Sequence, residues 1–389
     1  MQKLRSICGL VLLCLLAGGR TQAQTIYFNT SSSVLSSNTL DSVATNSTGK
    51  TTLLTATGVD LNKIIRCTAV AVDALNGKLF FVDGSANSIW SISLTGTNLA
   101  LVKSGLTSFP TDLALDVLNE KIYYTTSSSI QSNNTVQVMD YTGSNNVTLF
   151  TALGGAGAYR CTAIAVDIPD SKIFIADAGT NKIWSMSLTG AGLAALAATT
   201  NAAPTDLAVD VTNQLVYFTA SSPVQSSNRI QRVSYGGTGL TTLFTASGSV
   251  QRCTALDVDV AHATIYLSDA GSNSPALWRI PLGGGSATTV LSGLTATAKK
   301  VRWFSGPTTR PAPFLASIQH SGANVVLNAT NGFVGGTYYI LTSTNLDTPR
   351  NQWLTVSTNV LGASGNFALI ATNSFDTKTP RRFYLLQVQ

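Results

Sequence analysis

The chain has little charge and few of the residue types from which catalytic and metal centres are built. Charged side chains make up 11% of its 389 residues, well below the roughly 25% usual for soluble domains. A single glutamate, Glu120, is present, and two histidines, His262 and His320. That scarcity leaves no HExxH stretch, no histidine cluster and no Ser-His-Asp arrangement, so the common hydrolytic constellations are not legible here. Long apolar runs are also missing. The longest, Ile7–Leu16, is too short to cross a bilayer and lies behind Lys3 and Arg5 and ahead of Thr21-Gln22-Ala23. This is the pattern of an export signal over residues 1–23, and it predicts a secreted or cell-surface protein with no membrane span.

Removing that segment takes away Lys3, Arg5 and Arg20 and lowers the formal charge from +6 to +3. Residues 24–304 carry 16 basic and 16 acidic side chains. No basic stripe is available for a phosphate backbone, which argues against nucleic acid as a partner. Ser, Thr and Asn fill the solvated positions instead. Three cysteines remain, Cys67, Cys161 and Cys253, each at one position of a repeat. Residues two repeats apart lie at least about 10 Å apart, beyond the reach of a disulfide, so three buried free thiols are expected.

What the chain does have is repetition. RCTAVAVDALNGKLFFVD (66–83) is followed by PTDLALDVLNEKIYYTT, RCTAIAVDIPDSKIFIAD, PTDLAVDVTNQLVYFTA and RCTALDVDVAHATIYLSD. Each repeat holds four short β-prone runs broken by Gly, Asn, Ser or Asp, the signature of radially stacked four-stranded sheets. Residues 26–55 match 216–245, so the mature chain begins at the second strand of a repeat. The missing first strand reappears as AKKVRWF (298–304). The fold class is therefore all-β: a six-bladed β-propeller over 24–304, closed by pairing of N- and C-terminal strands, which leaves no exposed edge. A Pro-rich linker (305–313) leads to alternating runs over 314–389 that predict a small β-sandwich. The latter resembles the C-terminal β modules appended to many secreted bacterial proteins.

The stretches KLFFVDGSANSIWSISLTG, KIFIADAGTNKIWSMSLTG and TIYLSDAGSNSPALWRIPLGG resemble the YWTD repeats of LDL-receptor class B propellers. Asp83, Asp177 and Asp269 match the aspartate of that motif, which is structural in the family. Tyr123–Thr126 and Tyr217–Ala220 depart from it by losing the acid. The chain thus reads as a trimer of blade pairs.

Three sets of residues stand out. The aspartates closing the first strands (73, 116, 167, 210 and 259) suit hydrogen bonds to the following turn, and Trp90, Trp184 and Trp278 suit packing between blades. Arg66, Arg160 and Arg252 open the first strands of alternate blades, while Asp112 and Asp206 stand a little further along in the others. Their odd offset puts them on opposite sheet faces, so each arginine is expected to meet an aspartate of the next blade. Lys300 occupies the third acid position, which predicts one arginine facing a lysine and an unbalanced positive pocket near the axis. Finally, SSSVLSSN (31–38), SSSIQSNN (127–134) and SSPVQSSN (221–228) form one loop in triplicate, with Gln131 and Gln225 as expected contributors to a hydrogen-bonding rim.

These features point to a non-enzymatic binding protein, with no cofactor and no metal, presenting a polar face to an extracellular glycan, peptide or protein. Two other classes compete. A metal-dependent propeller hydrolase, lactonase or lyase would need Asp112, Asp206 and Asn oxygens around a cation, which neighbouring arginines oppose. A structural surface component would bind nothing through its rim.

Overall fold

The computed structural model describes residues 24–46, 50–58, 64, 66–152, 160–271, 275–304, 314–332, 337–349, 352–360, 365–372 and 382–388. The export signal and the linker lie outside them. The described residues fall into two compact units, within Gln22–Pro307 and within Thr308–Gln389.

The first unit is built from six four-stranded antiparallel sheets. In blades 2 to 6 the strands are consecutive in the chain, with Cys67–Asp73, Phe109–Asp116, Cys161–Asp167, Ala203–Asp210 and Cys253–Asp259 as the first strands. Blade 1 takes its first strand, Thr297–Phe304, from the far end of the chain. That strand pairs with Thr25–Ser31, with Val301 opposite Phe28 and Lys300 opposite Asn29. Six apolar clusters follow, one at each blade–blade interface, including Ile26, Phe28 and Val43 with Ala255, Leu277, Ala298 and Val301 where the ring closes. The ring is therefore held by its interfaces, as both faces of every sheet are covered.

Two repeated devices set the spacing between blades. The Gly of the turn between third and fourth strands has positive φ at 96, 143, 190, 237 and 284. It also presses on the outer strand of the preceding blade, so that a Cβ at Gly143 would stand 2.0 Å from the Val102 carbonyl oxygen, and one at Gly190 2.1 Å from that of Leu149. Only glycine meets both requirements. The tryptophans supply the second device: Trp90, Trp184 and Trp278 pack in the interfaces of blades 1–2, 3–4 and 5–6.

Cys67, Cys161 and Cys253 lie in those same alternate interfaces, buried and unbridged. Burial, together with Asp269, pushes the Cys253 thiol up to about 12, and burial raises the other two as well. A thiol reagent is expected to leave native protein of residues 24–389 unlabelled at pH 8 and to label all three after denaturation. Labelling of the native ring would contradict this packing.

The second unit contains two three-stranded antiparallel sheets. One orders Phe314–Ser321, Asn324–Gly332 and Gly365–Ala371; the other orders Leu354–Val360, Thr337–Ser343 and Phe383–Val388. Val325, Leu327 and Leu369 of the first face Tyr338 and Ile340 of the second in one core.

Candidate functional site

Each first strand enters the ring at the face that also carries the loops between second and third strands. In the even blades this entry is clamped by the aspartate of the YWTD-like motif. Asp83 Oδ1 accepts from the backbone amides of Arg66, Ser85 and Ala86. Asp177 Oδ1 accepts from Arg160 and Gly179, and Asp269 Oδ1 from Arg252 and Gly271. All three acids are buried, so their oxygens are turned to main-chain donors and the arginines reach the surface above them. At the opposite ends of the first strands, Asp73, Asp116 and Asp210 each bond the amide and side chain of an Asn three residues on. Their role is to close turns, as the sequence indicates.

The expected Arg–Asp pairs do not form. Arg66 Nε donates to Ser31 Oγ (2.8 Å) and Arg252 Nε to Ser221 Oγ (3.1 Å), serines that end the second strand of the preceding blade. Asp112 and Asp206 do face the next blade, but they take main-chain amides there: Ile164 N donates to Asp112 Oδ2 and Leu256 N to Asp206 Oδ2, both at 3.0 Å. Their remaining partners come from the closing strand. Lys300 Nζ reaches Asp112 Oδ2 at 2.5 Å and also contacts Asp206 Oδ1. Arg302 stands 3.8 Å from each carboxylate. Lys300 is 4% exposed and the two acids not at all. It occupies the third acid position as the repeat predicts, yet it joins the two aspartates rather than facing an arginine.

One turn of the pleat further along, blades 2 to 5 carry Ala71, Ala114, Ala165 and Ala208, each opposite an aromatic residue of the second strand. At this position blade 6 has Asp257, opposite Tyr266, and blade 1 has Arg302, opposite Tyr27. Asp257 accepts from Trp303 N (2.7 Å) and Val258 N. Three acids and two bases thus plug the channel. Burial pushes Asp257 upward despite the Arg302 charge, and it pushes Asp206 upward against Lys300 and Arg302. Burial also opposes the Arg302 charge, but the attraction of Asp206, Asp112 and Asp257 outweighs it and raises that guanidinium. Against the plug lies a cavity of about 250 Å³ lined by Asp257, Arg302 and Trp303 together with aliphatic residues such as Leu113, Ile164 and Leu207. Asp257 and Arg302 were not singled out by sequence, although both break an Ala that the other four blades keep.

The unpaired positive charge sits one residue earlier than expected. Lys299 is the extra residue of a β-bulge, passed over between Ala298 opposite Thr30 and Lys300 opposite Asn29. While Lys300 turns into the plug, Lys299 is exposed and feels the charges of Arg66 and Arg252. Desolvation, then the charges of those two arginines, hold its ammonium below the usual lysine range. Among the described residues no ion pair is made by Arg66, Arg160, Arg252 or Lys299, and the solvent-facing charge at this mouth is positive.

The triplicate loops are built alike. Asn38 Nδ2 donates to the carbonyls of Ser32, Val34 and Leu35, and its Oδ1 accepts from Ser32 N. Asn134 and Asn228 repeat the network in their own loops. All three are buried, and each closes a single 3-10 turn. The glutamines do not form the expected rim. Gln225 Nε2 is tied to the carbonyls of Gly248 and Val250, and Gln131 Nε2 is enclosed with no hydrogen-bond partner among the described residues. What points outward instead is an aliphatic residue in each loop, Val34, Ile130 and Val224, 56%, 60% and 59% exposed, beside exposed Ser33 and Ser36, Ser129 and Ser132, and Pro223 and Ser226. The sequence signal was an aliphatic residue at the fourth position of each Ser/Asn-rich loop, followed by Leu35 in the first loop and by glutamine in the other two.

The fold and this axial site define a β-propeller. The chain is similar over 73% of its length to the whole of a chain in the crystal structure of a nidogen/laminin complex, at 15% identity and a TM-score of 0.58. It is also similar to TolB from Acinetobacter baumannii (10% identity, TM-score 0.55, covering 73% of this chain and 67% of that one). A putative TolB from Agrobacterium tumefaciens gives 11% identity and a TM-score of 0.52, covering 74% and 99%. At these identities the likeness shows the fold alone. No family model and no curated protein matches the chain. Among the described residues no helix is long and apolar enough to cross a membrane.

Proposed function

We propose that this chain is an exported, non-enzymatic binding module, extracellular or in the cell envelope, whose propeller holds an anionic ligand at the mouth formed by Arg66, Arg160, Arg252 and Lys299. The cluster of exposed cations without an ion-paired acid among the described residues carries this reading. Clustered like charges are unfavourable until a counter-charge arrives, and a ligand carboxylate is the natural one. Arginine suits the task because its planar fork can take a carboxylate with two parallel bonds. The motif resemblance to YWTD propellers and the export-type leader support an extracellular interaction role. The likeness to a chain of a nidogen/laminin complex agrees with it. The carboxylates that a metal-dependent hydrolase would use, Asp112 and Asp206, already face Lys300 and Arg302, and these cations weigh against a metal ion between them.

The test uses two carboxylate polymers, polyglutamate and alginate, with the protein of residues 24–389 at low and at physiological salt. The parent is expected to bind at least one of them, more weakly as salt rises. Replacing Arg66, Arg160 and Arg252 together by Gln should weaken binding by about tenfold or more at an unchanged melting temperature, since all three are exposed. Equal binding by the triple variant, or none by the parent, would sink this reading.

A further inference from the structure

The loops around the cationic mouth say which class of ligand it takes. We infer that the ligand is a polypeptide of a partner protein, with acidic residues for the cation cluster and apolar side chains for Val34, Ile130 and Val224. This rests on the reading of the mouth as an anion site and adds a second, independent set of contacts.

Val34, Ile130 and Val224 belong to blades 1, 3 and 5, whereas the arginines belong to blades 2, 4 and 6. The two sets therefore alternate around one face. They are also mechanically joined. Arg66 and Arg252 bond Ser31 and Ser221, the first residues of the Ser/Asn-rich loops that display Val34 and Val224. Gln225 bonds the carbonyls of Gly248 and Val250, in the segment that leads into Arg252. Phe109 adds a fourth apolar side chain, 37% exposed, whose ring lies against Gly84 in the loop after Asp83.

Three branched aliphatic side chains more than half exposed are costly to leave in water, and the chain repeats them at equivalent positions. Each is fixed by the same buried Asn network, and each amide (Val34 N, Ile130 N, Val224 N) is bonded to the serine hydroxyl two residues earlier. The side chains are thus displayed from an ordered backbone. Little loop entropy remains to be lost when a partner binds. Apolar anchors beside complementary charge are the anatomy of a protein–protein contact.

The same residues fit a sugar polymer poorly. A Val or Ile methyl pressed on a sugar hydroxyl removes its water and offers no hydrogen bond in exchange. The glutamines that could have served hydroxyls are turned into the protein, and the exposed serines Ser33, Ser36, Ser129, Ser132 and Ser226 each stand within two residues of an exposed aliphatic side chain. Charge excludes a basic partner and the apolar side chains disfavour a purely charged one. An acidic segment carrying Leu, Ile, Val or Phe satisfies both.

A phage-displayed library of random 12-residue peptides, panned on the protein of residues 24–389, tests this. Enriched peptides are expected to combine Asp or Glu with aliphatic or aromatic residues. The best of them, synthesised, should bind Val34→Ser/Ile130→Ser/Val224→Ser about tenfold or more weakly than the parent, with the melting temperature retained. It should also lose affinity to the Arg66→Gln/Arg160→Gln/Arg252→Gln variant. Enriched acidic peptides that bind the serine variant within about twofold of the parent would overturn the polypeptide proposal and leave the anion site standing. Alginate binding that needs the arginines, with no peptide enriched, would assign the face to a glycan and also overturn the proposal. Binding indifferent to both variants would overturn both readings.

Discussion

A Lys300→Met variant is expected to melt far below the parent, because it removes the one ammonium that both Asp112 and Asp206 contact. The two acids are fully buried and their other partners are main-chain amides and the more distant Arg302. Breaking a buried pair by removing one partner costs about 3–5 kcal/mol, since the orphaned charge stays out of water. For a domain of this size that corresponds to a fall of roughly 5–10 °C. The deficit should also depend on pH. Burial already raises the Asp206 carboxyl against the pull of Lys300 and Arg302, and losing Lys300 raises it further. An acid whose folded pKa lies above its unfolded value contributes stability at low pH and loses it as pH rises through the folded value. The gap between variant and parent should therefore be small near pH 4 and grow towards pH 8. A gap that is flat with pH would mean that the aspartates do not depend on Lys300 for charge.

Val301→Asp is the second large effect, and it tests closure of the ring. Val301 is fully buried opposite Phe28 and packs with Ile26, Val43 and Ala298 where blades 6 and 1 meet. A carboxylate there has no partner, and burying it unpaired costs several kcal/mol. The strand that carries it is continuous with blade 6 and hydrogen-bonded to Thr25–Ser31 of blade 1, so its release exposes the edge of Thr25–Ser31. Melting and limited proteolysis should both report an opened propeller, with cleavage concentrated in residues 24–55 and 297–304. A variant that melts within about 2 °C of the parent, a shift worth under about 1 kcal/mol, would show that this strand does not hold the ring shut.

Both predictions draw on residues that the repeat makes conspicuous in different ways. The four-run periodicity, the Asp at each first-strand end and the split sixth repeat announce the blades, because a strand–turn alternation is written in local residue types. The cysteine positions announce free thiols through spacing alone. Lys300 could be placed at the acid position by aligning Val301 and Trp303 with Val70 and Val72, and its register opposite Asn29 agrees. Its partners could not be read the same way. They depend on which residues of three separate blades converge on the axis, a distance no local pattern contains. The same limit hid Asp257 and Arg302, each visible only as a substitution of a repeated Ala.

Local chemistry thus determined the strands, the turns, the closing blade and the face on which the arginines and loops emerge, since each follows from side-chain alternation and backbone preference over a few residues. Tertiary structure alone decided what those side chains meet. The arginines go to serines of the preceding blade rather than to aspartates. Lys300 turns inward to the acids while Lys299 turns to the arginines, and the loops face solvent through Val34, Ile130, Val224 and neighbouring serines rather than through glutamine. The reason is geometric: neighbouring blades approach at an angle and a register set by the whole ring, so contacts between them are fixed only when the last strand has closed it.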